Sequence, residues 1–82
     1  MKDIQIDDDI RIRFTQDVIL EIYEHEDPDL VFPVEETFDF DDEAEVYVLD
    51  INEDSRVLTV QFPDGSVTFL NVAFIEVVEV NP

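Results

Sequence analysis

The stretch AEVYVLDINEDSRVLTVQFPDGSVTFLNVAFIEVVE, Ala44 to Glu79, decides the fold. It is rich in Val, Ile, Phe and Thr, the residue types that suit a pleated, half-buried surface. Residues 44–51 predict a strand and Asn52-Glu53-Asp54-Ser55 a turn. Residues 56–62 predict the next strand. Pro63-Asp64-Gly65-Ser66 reads as a hairpin turn, with the only glycine of the chain where positive φ costs least. Residues 67–70 return, 71–73 form a single tight turn, and 74–80 close the sheet.

Working outward, Ile10-Arg-Ile-Arg-Phe14 alternates apolar and polar, the period of a half-buried strand. Thr15-Gln16-Asp17 turns it into residues 18–23. A short helix capped by Asp17 is the alternative there, but the β-branched residues and nearby Pro28 favour a strand. Residues 24–37 read as irregular and acidic, with Pro28 and Pro33 breaking any ladder. Leu30, Val31, Phe32 and Val34 are expected to tuck beneath the sheet. Several strands carry apolar residues on both faces, which suits a closed or orthogonally packed barrel. The expectation is one all-β domain over 1–82, without repeats: a barrel of five to six mostly antiparallel strands with a long acidic loop.

This order resembles the SH3-like and Tudor-like small barrels. "VQFPDGS", a turn and "FIEVVE" are similar to the last hairpin, the one-turn 3₁₀ segment and the closing strand of that fold. The resemblance implies that loop 24–41 replaces the RT loop and that strand 10–14 is an addition. Peptide-binding and methyl-cation-binding members rely on aromatic sets. This chain has no Trp, and most of its Phe residues stand at core-like positions.

The charge is the outlier: 23 Asp and Glu against 4 Lys and Arg, formally −19. Self-repulsion on that scale opposes compaction, and solubility asks for only about 2–8 net charges in a small domain. An 82-residue domain has little stability to spare, and with no Cys it has no disulfide or thiolate site to help. Apolar residues make up 45%, too many for a disordered acidic tail. The N-terminus carries no apolar signal region, and no apolar run spans a bilayer, so a cytoplasmic protein is expected, host-cytoplasmic if phage-encoded.

No residue pattern points to catalysis. His25, the only histidine, lies between Glu24 and Glu26 and reads as a solvated loop residue. Ser55 and Ser66 stand in turns without a basic neighbour to activate them. Asp50-x-Asn52-x-Asp54 begins like a Ca²⁺ loop, but Ser55 replaces the turn glycine and Gln61 the closing glutamate. Asp39-x-Asp41-Asp42-Glu43 also lacks the glycine turn. No enzyme activity, cofactor or dedicated metal is expected.

The acids cluster, as in ETFDFDDEAE at 36–45. If 38–45 is extended, Phe38, Phe40 and Ala44 point inward. Asp39, Asp41, Glu43 and Glu45 then form an outward row at about 6.6–6.8 Å spacing. A compact chain of this length is roughly 30 Å across. Nineteen charges over that span approach duplex DNA, with one charge per about 1.7 Å.

In size and charge the chain resembles the DNA mimics of phages and mobile elements: anti-restriction proteins, anti-CRISPR proteins and uracil-DNA glycosylase inhibitors. The resemblance implies a nucleic-acid mimic that occupies the basic groove of a nucleic-acid-binding protein or nuclease. Neither direct nucleic-acid binding nor membrane binding is expected; exposed edge strands allow pairing and like charge opposes it, so a monomer or weak homodimer is expected. The expected carriers are Glu35, Glu36, Asp39, Asp41, Asp42, Glu43 and Glu45, then Glu24, Glu26, Asp27 and Asp29 of the loop. Alternatives are an immunity protein against a basic nuclease toxin, an acidic adaptor, and halophile-type solubility. Clustering of the acids and 20 Val plus Ile among 82 residues speak against the last.

Overall fold

The computed structural model describes residues 4–24 and 33–81. These form seven strands and one short 3₁₀ segment: β1 (Asp9–Phe14), β2 (Val18–Ile22), β3 (Val34–Phe38), β4 (Glu43–Asn52), β5 (Val57–Gln61), β6 (Val67–Asn71), η1 (Val72–Phe74) and β7 (Ile75–Asn81). All named pairings are antiparallel. The chain is all-β, as expected, and the strands of the 44–79 stretch fall within a residue or two of their predicted bounds.

The closed barrel is not formed. The strands divide into a five-stranded sheet, β6-β5-β4-β1-β7, and a two-stranded ribbon, β2-β3. One bridge joins the two: Tyr23 and Val67 exchange both backbone hydrogen bonds at 2.8 Å. Beside that bridge the Thr68 hydroxyl donates to the Glu21 carbonyl at 2.9 Å, a side-chain link where a longer ladder would carry a backbone one. Strand β1 is central to the larger sheet. It lies between β4 and β7 and supplies Ile10, Ile12 and Phe14, all fully buried, to the centre of the core.

Val46, Val48, Leu58, Val60, Leu70 and Ile75 complete that core from the same face. Two bulges keep the inward phase correct. Register shifts at Leu49 in β4 and at Val78 in β7. Each sits in an apolar-apolar-acid-apolar run, Val48-Leu-Asp-Ile51 and Val77-Val-Glu-Val80. Strict alternation would turn Asp50 and Glu79 into the core. The extra residue turns them out and brings Ile51 and Val80 in, opposite Leu58 and Ile10. Leu49 and Val78, which made β4 and β7 look two-faced in sequence, are therefore bulge residues exposed to water.

Further expectations are corrected around residues 34–42. Residues 34–38 are a strand, not irregular chain: Val34 and Phe38 pair with Ile22 and Val18. Pro33 is tolerated because it stands just before the strand. Val34 is exposed rather than tucked under the sheet. Residues 39–42 turn instead of extending. The Asp42 N–H donates to the Asp39 carbonyl at 3.0 Å and the Asp39 N–H to the Asp42 carboxylate at 2.8 Å. Asp41 adopts φ 76, a left-handed conformation that Asp tolerates better than most residues. The turn is tied to β1 by Phe14 N–H to Asp42 and Asp41 N–H to Phe14, both at 2.8 Å. Phe40 consequently points to water, 65% exposed, while Phe38 packs against the core.

Candidate acidic interface

No carboxylate is buried among the described residues; the buried polar side chains are Ser66 and Thr68. The acids instead form three surfaces set by strand register.

The first is the outer face of β4-β1-β7. Arg11 and Arg13 alternate outward from β1 and stand opposite Glu45 and Glu43 of β4 and Glu79 and Glu76 of β7. Arg11 pairs with Glu79 and, at 3.8 Å, with Glu43. Arg13 pairs with Glu76 at 2.8 Å and with Asp41 at 3.6 Å. Two guanidinium groups thus serve a field of five carboxylates. Asp41 and Glu43, two members of the expected row, are partly compensated; Glu45 forms no ion pair among the described residues.

The second surface is the β2-β3 ribbon. Glu35 stands directly opposite Glu21, a like-charge pair that costs stability. Glu36 stands opposite Leu20 on the inward side of the ribbon, yet is exposed. The third is turn 39–42, where Asp39 and Asp42 are exposed and the Phe40 N–H donates to Asp17 Oδ1 at 2.7 Å. The outward row 39-41-43-45 is therefore not one line. Its first half lies on a turn and its second half on β4. Glu24 is exposed just past the Tyr23 bridge. Glu26, Asp27 and Asp29, together with His25, Leu30, Val31 and Phe32, lie outside the described residues.

Between ribbon and sheet the surface is grooved. Phe14, Phe38 and Phe62 form a column from core to surface, with centroids 4.7 and 6.1 Å apart and the outer two rings nearly parallel, at 5°. Phe38, Phe62, Ala44 and Pro63 line a groove of about 390 Å³ edged by Glu36, Glu45 and Asp64. A second hollow of about 490 Å³ adjoins it across Glu45, Phe62 and Pro63 and reaches Asp9 and Tyr47. No basic residue lines either hollow among the described residues. Sequence reasoning missed Asp9, Glu21 and Asp64. Asp64 had a local signal, the Pro-Asp-Gly turn; the other two depend on strand pairing that no local pattern reports.

Two groups here titrate unusually. Asp64 accepts from the Ser66 hydroxyl at 2.6 Å and the Ser66 N–H at 3.0 Å, and these bonds hold its carboxyl below the usual range. Tyr47 donates to Asp7 Oδ1 at 2.9 Å; that bond, with partial desolvation and the Asp7 charge, pushes the phenol up.

The Asp50-x-Asn52-x-Asp54 turn is held by the Asn52 side chain. Asn52 Oδ1 accepts from the Asp54 and Ser55 N–H groups, both at 3.1 Å. Among the described residues no three His, Cys, Asp or Glu side chains converge as metal ligands, and no helix is long and apolar enough to cross a membrane. No protein-family model matches the chain, and neither a curated protein nor a solved structure matches it.

Proposed function

We propose that this protein is an acidic nucleic-acid mimic that occupies the basic groove of a nucleic-acid-binding protein or nuclease. The observation that carries the reading is the ratio of charge to length. The long axis is 35 Å, and duplex DNA of that length carries about 20 phosphates at one per about 1.7 Å. The chain carries a formal −19. Among the described residues the acids of β1, β3, β4 and β7 stand on a sheet scaffold at the surface, so little ordering entropy is lost when a partner engages those.

The contact residues in this reading are the carboxylates with which Arg11 and Arg13 form no ion pair: Glu35, Glu36, Asp39, Asp42 and Glu45. Asp41 and Glu43 add partial charge from the β1 ladder. The Asp-Gly hairpin, the 3₁₀ turn and the closing strand β7 support an SH3-like sheet whose β2-β3 ribbon stands where a closed barrel would join. Steering and counterion release supply the affinity, so binding weakens as salt rises.

Capture from a bacterial lysate with the tagged chain, at about 0.15 and about 0.5 M salt, tests the proposal. A nucleic-acid enzyme retained at the lower salt and released by excess duplex DNA is the expected result. Retention indifferent to DNA, or retention of no basic protein, refutes it.

A further inference from the structure

We infer that the groove between β3 and the β5-β6 turn is an arginine-docking site, the point at which a basic partner inserts a side chain between Glu36, Glu45 and Asp64. The inference rests on the mimic reading and specifies its chemistry. Three features of the groove converge on this occupant.

Its charge is of one sign. Glu36, Glu45 and Asp64 approach from three different segments: β3, β4 and the hairpin turn. The described arginines that hold carboxylates are committed to Asp41, Glu43, Glu76 and Glu79 instead. The groove thus offers uncompensated carboxylates to a cation from outside.

Its floor is aromatic and apolar. Phe38 and Phe62 lie nearly parallel, with Ala44 and Pro63 beside them. A hydrated metal ion or an ammonium gains little from such a floor. A guanidinium is planar, weakly hydrated, stacks on rings and donates in a fork to carboxylates, so it uses floor and rim at once.

Its size fits one long side chain. A volume of about 390 Å³ lies at the small end of ligand clefts. The adjoining hollow at Asp9 and Tyr47 extends the same trough along the sheet, room for a neighbouring basic residue of an extended segment. Nucleic-acid-binding proteins hold phosphates largely through Arg and Lys, so their grooves carry the complementary residue type.

The test is a titration of the ¹⁵N-labelled chain with blocked tri-arginine and tri-lysine peptides, followed by amide shifts. Shifts should centre on residues 36–38, 44–46 and 62–66, with tri-arginine bound about threefold or more tighter than tri-lysine. Glu36→Gln with Glu45→Gln should weaken tri-arginine about fivefold, from two charge contacts of ordinary strength. Glu21→Gln with Glu35→Gln removes the same net charge from the ribbon without touching the groove's lining, and should weaken it less than about twofold.

Equal binding of the two peptides, equal loss in both double variants, or shifts centred elsewhere overturns the docking site. These outcomes are separate from failure of the mimic reading. A partner still captured and still displaced by DNA, but indifferent to Glu36→Gln with Glu45→Gln, leaves the mimic standing and removes the groove. A parent chain that captures no such partner removes the mimic reading, while the peptide titration still decides the groove.

Discussion

Phe38 and Phe40 stand two residues apart in the same acidic run, and the structure gives them opposite fates. Phe38 stacks on Phe14 at 4.7 Å, lies parallel to Phe62 at 6.1 Å, and faces Val18 across the ribbon. It helps hold the β2-β3 ribbon to the five-stranded sheet, where among the described residues the Tyr23–Val67 bridge is the one backbone pairing between their strands. A fully buried Phe→Ala change costs about 3–5 kcal/mol. Phe38 is only partly buried, so roughly half of that applies, plus about 0.5–1 kcal/mol for its ring pairing. Phe38→Ala should therefore cost about 2–3.5 kcal/mol, a large part of the roughly 4–12 kcal/mol expected of a domain this size. That corresponds to a fall in Tm of about 10–20 °C. Phe40, at 65% exposed, has only its backbone N–H tied, to Asp17, and that bond survives truncation of the ring. Phe40→Ala should stay within about 0.5 kcal/mol. Chemical denaturation of both variants, followed by near-ultraviolet circular dichroism, separates the two. Equal losses for Phe38→Ala and Phe40→Ala would refute the turn at 39–42 and restore an extended, inward-pointing Phe40.

Three other outcomes are expected. Arg13→Met removes two exposed to half-exposed pairs and leaves Asp41, Glu43 and Glu76 facing one another. It should destabilise by about 1 kcal/mol in dilute buffer and by much less near 1 M salt, measured by denaturant melts at both. Ser66→Ala releases Asp64, whose carboxyl should rise toward 3.8 in a ¹³C-detected titration. Because folding depresses this pKa, its stabilising contribution is present above pH 3.8 and is lost as pH falls through the lower folded value. The stability gap between parent and variant should narrow in that acid window. Asp7→Asn should bring the Tyr47 phenol down toward 10.0, read from phenolate absorbance. There the folded pKa is the raised one, so the contribution persists below pH 10.0 and disappears as pH rises through the folded value.

The strands of 44–79 were legible because period-two alternation, β-branched residues and a single Pro-Asp-Gly turn agree with one another. The division into sheet and ribbon was not. It depends on how far β6 pairs with β2 beyond the Tyr23–Val67 bridge, a contact across more than forty residues that no local pattern reports. The bulges at Leu49 and Val78 were visible as repeated apolar-apolar-acid runs. They read as two-faced strands because alternation alone cannot tell a second buried face from an inserted residue.

The acidic stretch 36–45 was read as continuous because its alternation is continuous. An Asp in a left-handed conformation and an Asp39–Asp42 turn interrupt it, and both are common uses of Asp that leave no distinct mark in a run already full of Asp. Clustering of negative charge was fully legible. Which acids are compensated was not, because Arg11 and Arg13 meet Glu76 and Glu79 only through a pairing across more than sixty residues of chain.

The central claim is that this surface substitutes for nucleic acid. Equilibrium competition tests it most directly: the captured partner holds a fluorescently labelled duplex, and the unlabelled chain is titrated in. The account predicts that each partner site holds either the chain or the duplex, with release of the duplex going to completion as the chain is added and an apparent affinity that falls as salt rises. A stable ternary assembly of chain, partner and duplex would contradict it.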